Sequence, residues 1–212
     1  MSAPQHPRMF AVRVAATTGI VLITGCGHDG PSLAAVGSDG RTPAPGMTAR
    51  AEPGHCSGRI DDVSVSGDVN VPDGETCELV GTRVDGNISI GQGARLYASA
   101  VDVDGDIQGE RTTAVEVTDS KVGGNLQLES GGSALVAHSH VDGDISWQEQ
   151  DGELVARETS VGGNLEVEGN AGGVTVFADT IRGDLSCQDN SPVPQGRHNS
   201  VSGDAEDQCR AL

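Results

Sequence analysis

Aromatic side chains are almost missing from this chain: Phe10, Tyr97, Trp147 and Phe177 are the only four in 212 residues. A conventional globular core of this length draws on more of these large side chains. Their scarcity argues against that kind of interior and points to one assembled from small aliphatics in repeated layers. Lysine is rarer still, with Lys121 alone, and 13 basic residues face 31 acidic ones for a net charge of −18. Binding to phosphates by counterion release needs a basic surface, so nucleic acid is excluded as a partner. No apolar run approaches the roughly 20 residues that cross a bilayer as a helix. No C-x-x-C pair offers the close ligand spacing of a structural zinc site.

What is present begins with a leader. In MSAPQHPRMFAVRVAATTGIVLITGC, Arg8 and Arg13 precede an apolar run from Val14 to Ile23, and the small residues Thr24 and Gly25 lead to Cys26. This order predicts an export signal over residues 1–25, with Met9 as an alternative start. The ending ITGC resembles the bacterial lipobox, in which a diacylglycerol is attached to the cysteine thiol and the leader is cut just before it. That resemblance implies Cys26 as a lipid-bearing N-terminus and a protein held on the outer face of the cell membrane. The competing reading is an ordinary export signal followed by an unrelated cysteine. Residues 26–54 have little apolar content, no period and recurrent Gly, Pro and Ser, the composition of a flexible tether. Once Arg8 and Arg13 are removed, eleven basic residues face the same 31 acids, a balance suited to solubility outside the cell.

From residue 55 to 209 one frame recurs: an aliphatic residue, any residue, Gly, then Asp or Asn. Val65-Ser66-Gly67-Asp68 is its first copy, Val103-Asp104-Gly105-Asp106 its third and Val201-Ser202-Gly203-Asp204 its eighth, with successive glycines 19 or 20 residues apart. A fixed period of this length marks a stacked repeat architecture. Within each unit the apolar positions alternate. Around Gly143, for instance, Ala134 and Val136 precede the glycine, and Ile145 and Trp147 follow it. Period two is the signature of strands, so each unit holds at least two short strands facing inward.

Such a strand pair cannot bury its apolar face alone, but stacking successive units closes a continuous core. The predicted fold is all-β, a single parallel β-helix solenoid of about eight coils with 19–20 residues per coil. Trp147 is expected to point inward, filling space opposite Gly109 one or two coils away. The turn glycines are expected to supply a backbone angle that a side chain forbids. Down the stack, Asp68, Asn87, Asp106, Asn125, Asp144 and Asn164 alternate acid with amide, and the expectation is that each amide donates to the carboxylates on either side.

Four cysteines follow Cys26, and three pairings are open to them. The repeat selects one. Cys56 and Cys77 fall on adjacent coils near the same azimuth, as do Cys187 and Cys209. Stacked strands lie about 4.8 Å apart, within reach of a disulfide. Cys56–Cys77 and Cys187–Cys209 are therefore predicted to staple the two end coils, which lack a stacking partner on one side.

Asp102, Asp104 and Asp106 alternate like the start of a calcium loop and form a candidate cation site. No Glu stands at the twelfth position to complete an EF-hand, and a solvated acidic face is the plainer account. His138 and His140 flank Ser139 near Asp142, but equivalent positions in other coils hold Ala100, Glu158 and Ala178, which predicts a surface pair. No cofactor is expected.

The unit V-x-G-D/N-I/L-x-V, over residues 60–205, is similar to the bactofilins, polymer-forming bacterial cytoskeletal β-helices. The whole layout of lipobox, tether, VPDGETCEL, repeats, NLEVEGN and closing EDQC more closely resembles uncharacterised secreted or lipoprotein β-helix proteins of actinobacteria. The second resemblance implies no activity, and the bactofilins depart from this chain in lacking paired cysteines. The expected function is a non-enzymatic, lipid-anchored rod that serves as a scaffold or binding surface for an unidentified cell-envelope component. One alternative is an envelope carbohydrate-active enzyme of β-helix type, which would ordinarily have longer coils and aromatic sugar platforms. A second is a bactofilin-like polymer. Pro192, Pro194 and Gly196, followed by Asp204, Glu206 and Asp207 in the last coil, blunt the C-terminal strand edge. They predict a monomer, or at most weak lateral association.

Overall fold

The computed structural model describes residues 54–212. The expected leader, Cys26 and the expected tether up to residue 53 lie outside the described residues. Alternating apolar residues and sharp polar turns give three strands per coil, and every strand pairs in parallel with its equivalents in the adjoining coils. The first sheet runs from Gly58–Asp61 to Gln195–Arg197, the second from Ser64–Val65 to Ser200–Val201, and the third from Val69–Val71 to Ala205–Asp207. Each contains eight strands, so the all-β parallel solenoid of eight coils is the observed fold. Alternation located the first and third sheets. The second is built from two-residue strands such as Lys121–Val122, whose single inward side chain is the aliphatic residue of the repeating frame. A strand that short shows no alternation.

The inward columns form one apolar cluster from Cys56 to Cys209. Trp147 is fully buried within it, in register with Leu128 on one side and Val167 on the other. Gly109 stands in the same column two coils earlier, beneath Leu128. The two disulfides form as the repeat requires, with Cα–Cα separations of 5.4 Å for Cys56–Cys77 and 5.3 Å for Cys187–Cys209.

Two expectations about the turns need correction. Of the eight frame glycines only Gly67 has a positive φ, at 98°. The others are required by space. A Cβ on Gly143 would overlap Asn125 Oδ1 and stand 2.8 Å from the Gly124 carbonyl oxygen of the coil beneath. The Asp/Asn column also works differently from the expected amide-to-carboxylate ladder. Each side-chain Oδ1 accepts the backbone N–H of its equivalent one coil on: Asp106 N–H donates to Asn87 Oδ1 at 2.8 Å, Asn125 N–H to Asp106 Oδ1 at 2.7 Å and Asp144 N–H to Asn125 Oδ1 at 2.8 Å. Asp and Asn offer the same acceptor, so either residue satisfies the turn. Among the described residues an amide belonging to this column reaches one of its carboxylates only where Asn87 Nδ2 donates to Asp68 Oδ1 at 3.2 Å. The alternation thus spaces charge rather than making the hydrogen bonds.

The corner between the first and second sheets bends instead through one left-handed residue per coil, including Ala100 at φ 54°, His138 at 51° and Glu158 at 50°. Such a conformation costs about 1 kcal/mol for a residue with a Cβ. It persists because its N–H is captured by the next coil: Ala100 donates to Thr118 O at 3.0 Å and His138 to Arg157 O at 3.1 Å. The His138 position is thus a backbone corner that Ala100 and Glu158 also occupy in their own coils.

Short segments lie against part of each end of the stack. Gly54–Cys56 lies along the open edge of the third sheet, with Cys56 N–H donating to Asn70 O at 2.8 Å and Asn70 N–H to Gly54 O at 3.0 Å. At the other end Gln208 Oε1 accepts Asn190 N–H at 2.9 Å, and Leu212 packs against the core.

Candidate functional site

A solenoid of minimal coils offers its three outer sheet faces and its corners. The Asp102, Asp104 and Asp106 set belongs to the corner between the second and third sheets. Its strand ends at Val103, so the three aspartates do not continue along one face. Arg83, one coil earlier, inserts its guanidinium between the first two: Nη1 lies 2.6 Å from Asp102 Oδ2 and Nη2 2.6 Å from Asp104 Oδ2. Asp104 first, and Asp102 next, hold this arginine still more firmly protonated than usual. Asp106 turns away into the ladder, where it accepts Asn125 N–H. Among the described residues no group of three or more His, Cys, Asp or Glu side chains converges as a metal set.

His138 and His140 also separate. His138 Nδ1 lies 3.2 Å from Glu158 Oε2, while His140 Nε2 lies 2.7 Å from Asp142 Oδ1, with Lys121 Nζ 3.3 Å from the other oxygen of Asp142. The His140 hydrogen bond, with Lys121 behind it, holds the Asp142 carboxyl below its ordinary range. Ser139, His140 and Asp142 together have the composition of a hydrolytic triad, yet the hydroxyl is turned into the corner between the first two sheets and bonded there. Ser139 is buried, its Oγ donates to Ala137 O at 2.8 Å, and it accepts Ser120 N–H at 3.1 Å. A nucleophile needs its base within reach and its oxygen open to substrate, and Ser139 has neither.

The third sheet presents a different surface. Its outward residues are Asn, Ser, Gln and Glu on every coil as far as Gln188. Between two of these columns runs an open groove of about 430 Å³, floored by Ile90, Gly109 and Leu128 and walled by Gln108 and Gln127 on one side and Glu110 and Glu129 on the other. Glu110 and Glu129 are register partners on adjacent strands and so stand on the same wall. Glu110 is further engaged by Arg111 at 2.8 Å.

Inside the first corner lies a second ladder that period-two reading passed over. Ser120, Ser139, Thr159, Asp179 and Asn199 stack there, with Thr159 N–H donating to Asp179 Oδ1 at 2.8 Å and Asp179 N–H to Asn199 Oδ1 at 3.0 Å. Asn199 also donates its Nδ2 to Val176 O at 3.0 Å, and Thr159 its Oγ1 to Val136 O at 3.3 Å. An ionised carboxylate has no proton to give at that place. Burial, against the two backbone N–H groups that Asp179 accepts, pushes its carboxyl up to about 6.

Because the folded value lies above the unfolded one, the associated stability is complete below about pH 4 and is lost as pH rises through 6. The span corresponds to roughly 3 kcal/mol. Asp179→Asn is expected to remove this dependence and stabilise the protein at pH 7, since the amide can donate as Asn199 does. Urea unfolding of both forms at pH 4 and pH 7 checks it. An equal difference between the two forms at both pH values would refute the assignment.

The sequence reading found both disulfides, the inward tryptophan and the Asp/Asn turn. It missed the buried corner ladder and the character of the outward residues on the first sheet, among them Tyr97, Leu135, Val155 and Phe177. The signal for these last was present, because they are the residues that alternate with the inward pairs. Comparison with protein-family models, with curated proteins and with solved structures finds no match to this chain.

Proposed function

We propose that this protein is a non-enzymatic, lipid-anchored rod of the cell envelope that presents a long polar and acidic face to other envelope components. The observation that carries the reading is the third sheet: its strands hold six acidic residues and no lysine or arginine, in an otherwise uniform array of hydroxyls and amides. The lipobox resemblance of ITGC supports attachment through Cys26 on the outer membrane face. The segment Gly54–Cys56 along one strand edge and the disulfide at each end support a discrete rod over a bactofilin-like filament. Kinship with the uncharacterised actinobacterial lipoproteins rests on the shared layout and is part of the same proposal.

Metabolic labelling with a palmitate analogue tests the anchor. Label should appear on the native chain and vanish in Cys26→Ser, which folds but is released from the membrane. An unlabelled native chain sinks the reading.

A carbohydrate-active enzyme is the second reading, favoured by the volume of the third-sheet groove. Hydrolysis of a glycosidic bond places two carboxylates on either side of the scissile bond. With Glu110 and Glu129 on one wall, the groove is better suited to holding a polar chain than to cutting one.

A further inference from the structure

Three aromatic residues lie in the described part of the chain, and two of them, Tyr97 and Phe177, point outward on the first sheet. Leu135 and Val155 join them there, all four half-buried by their neighbours. The second and third sheets carry no outward aromatic or large aliphatic strand residue. Charge divides the same way. Strands of the first sheet hold four arginines against three acids, whereas those of the third hold acids alone. In a chain of net charge −18 the first sheet is thus a broad face on which two copies can meet without like-charge repulsion.

We infer that the outer face of the first sheet is a self-association surface, on which a second copy packs face to face with its coils running in the opposite direction. With the strands of the two copies aligned, two-fold symmetry leaves two ways to lay a sheet face on itself. With the axis along the solenoid each coil meets its own equivalent, and the central outward column sets Arg59, Glu78 and Glu116 each against the same residue of the other copy. Like charges directly opposed are destabilising. With the axis along the strands the coil order reverses. Asp61 then faces Arg197, Arg95 faces Glu153, and Tyr97 faces Val155, and no like-charged pair is opposed. Glu116 against Leu135, beside the axis, is the mismatched contact.

Strands of three to five residues stacked eight deep give a face of about 15 by 35 Å, or about 500 Å² per copy. The total of about 1,000 Å² stands at the lower edge of specific interfaces. The association is therefore weak and concentration-dependent. It is independent of the envelope role proposed above and leaves the third sheet of both copies free.

Sedimentation velocity of the full chain carrying Cys26→Ser tests the inference over a concentration series. A dimer should appear with a midpoint on the order of tens of micromolar. Leu135→Glu should abolish it while the far-ultraviolet circular dichroism stays unchanged. Asp61→Arg alone should weaken it by about fivefold, the scale of an exposed ion pair, and the exchange Asp61→Arg with Arg197→Asp should restore it. A monomer at every concentration, filaments, or a dimer indifferent to these substitutions would overturn the surface. A dimer lost with Leu135→Glu but not restored by the charge exchange would overturn the reversed orientation.

Discussion

Reduction of both disulfides is expected to loosen the two end coils by roughly 3 kcal/mol each and to leave the central coils as they were. In a stacked repeat each coil touches only its neighbours, so the loss of a staple is felt locally. The half-cystines are buried and sit at the two ends of the apolar column, Cys56 and Cys77 at one and Cys187 and Cys209 at the other. Each closes a loop of just over 20 residues, with sequence separations of 21 and 22. Opening them frees the end strands to part from the single neighbour that each has among the described residues. Hydrogen exchange after reduction should rise across Gly58–Asp61 and Gln195–Arg197 while Ala114–Thr118 and Ser133–Ala137 stay protected. Uniform loss of protection along the rod would contradict this locality.

Trp147→Ala is expected to cost about 4 kcal/mol, within the range for removing a buried tryptophan. The side chain is 0% exposed and is the largest in the core, flanked in its column by Leu128 and Val167. Stacked backbones cannot draw together to close the gap, since inter-strand hydrogen bonds fix their spacing near 4.8 Å. The cavity should therefore remain. Trp147→Phe is a gentler change. It keeps most of the volume and removes an indole N–H that is buried without an acceptor among the described residues, so its cost should be about 1 kcal/mol. Denaturant unfolding followed by circular dichroism separates the two variants. Equal losses would mean that the ring's volume is not what holds this layer.

The turns show how far one sequence signal can carry two meanings. Gly followed by Asp or Asn recurs often enough to fix the coil length, and it was read as local turn chemistry. In the fold the glycine leaves room for the coil beneath, and the Asp or Asn oxygen caps a backbone N–H in the coil above. Both partners are about 19 residues away, so no local reading of the turn contains them. Asp179 makes the same point inside the core. In sequence it is one polar residue between Ala178 and Thr180, whereas its burial and raised carboxyl follow from Thr159 and Asn199 one coil to either side.

Coil length, parallel stacking, the inward columns and the pairing of the cysteines are all legible along the chain. Each of these follows from a strict period, which places equivalent residues at equal height and azimuth. What those residues do to one another emerges once the coils are stacked. Arg83 became the partner of Asp102 and Asp104, Ser139 was taken out of reach of His140, and Tyr97 and Phe177 came to share one outer face. The physical reason is that charge pairing, burial and the extent of a surface depend on distances across coils, and a periodic sequence specifies which residues are neighbours without specifying how their side chains turn.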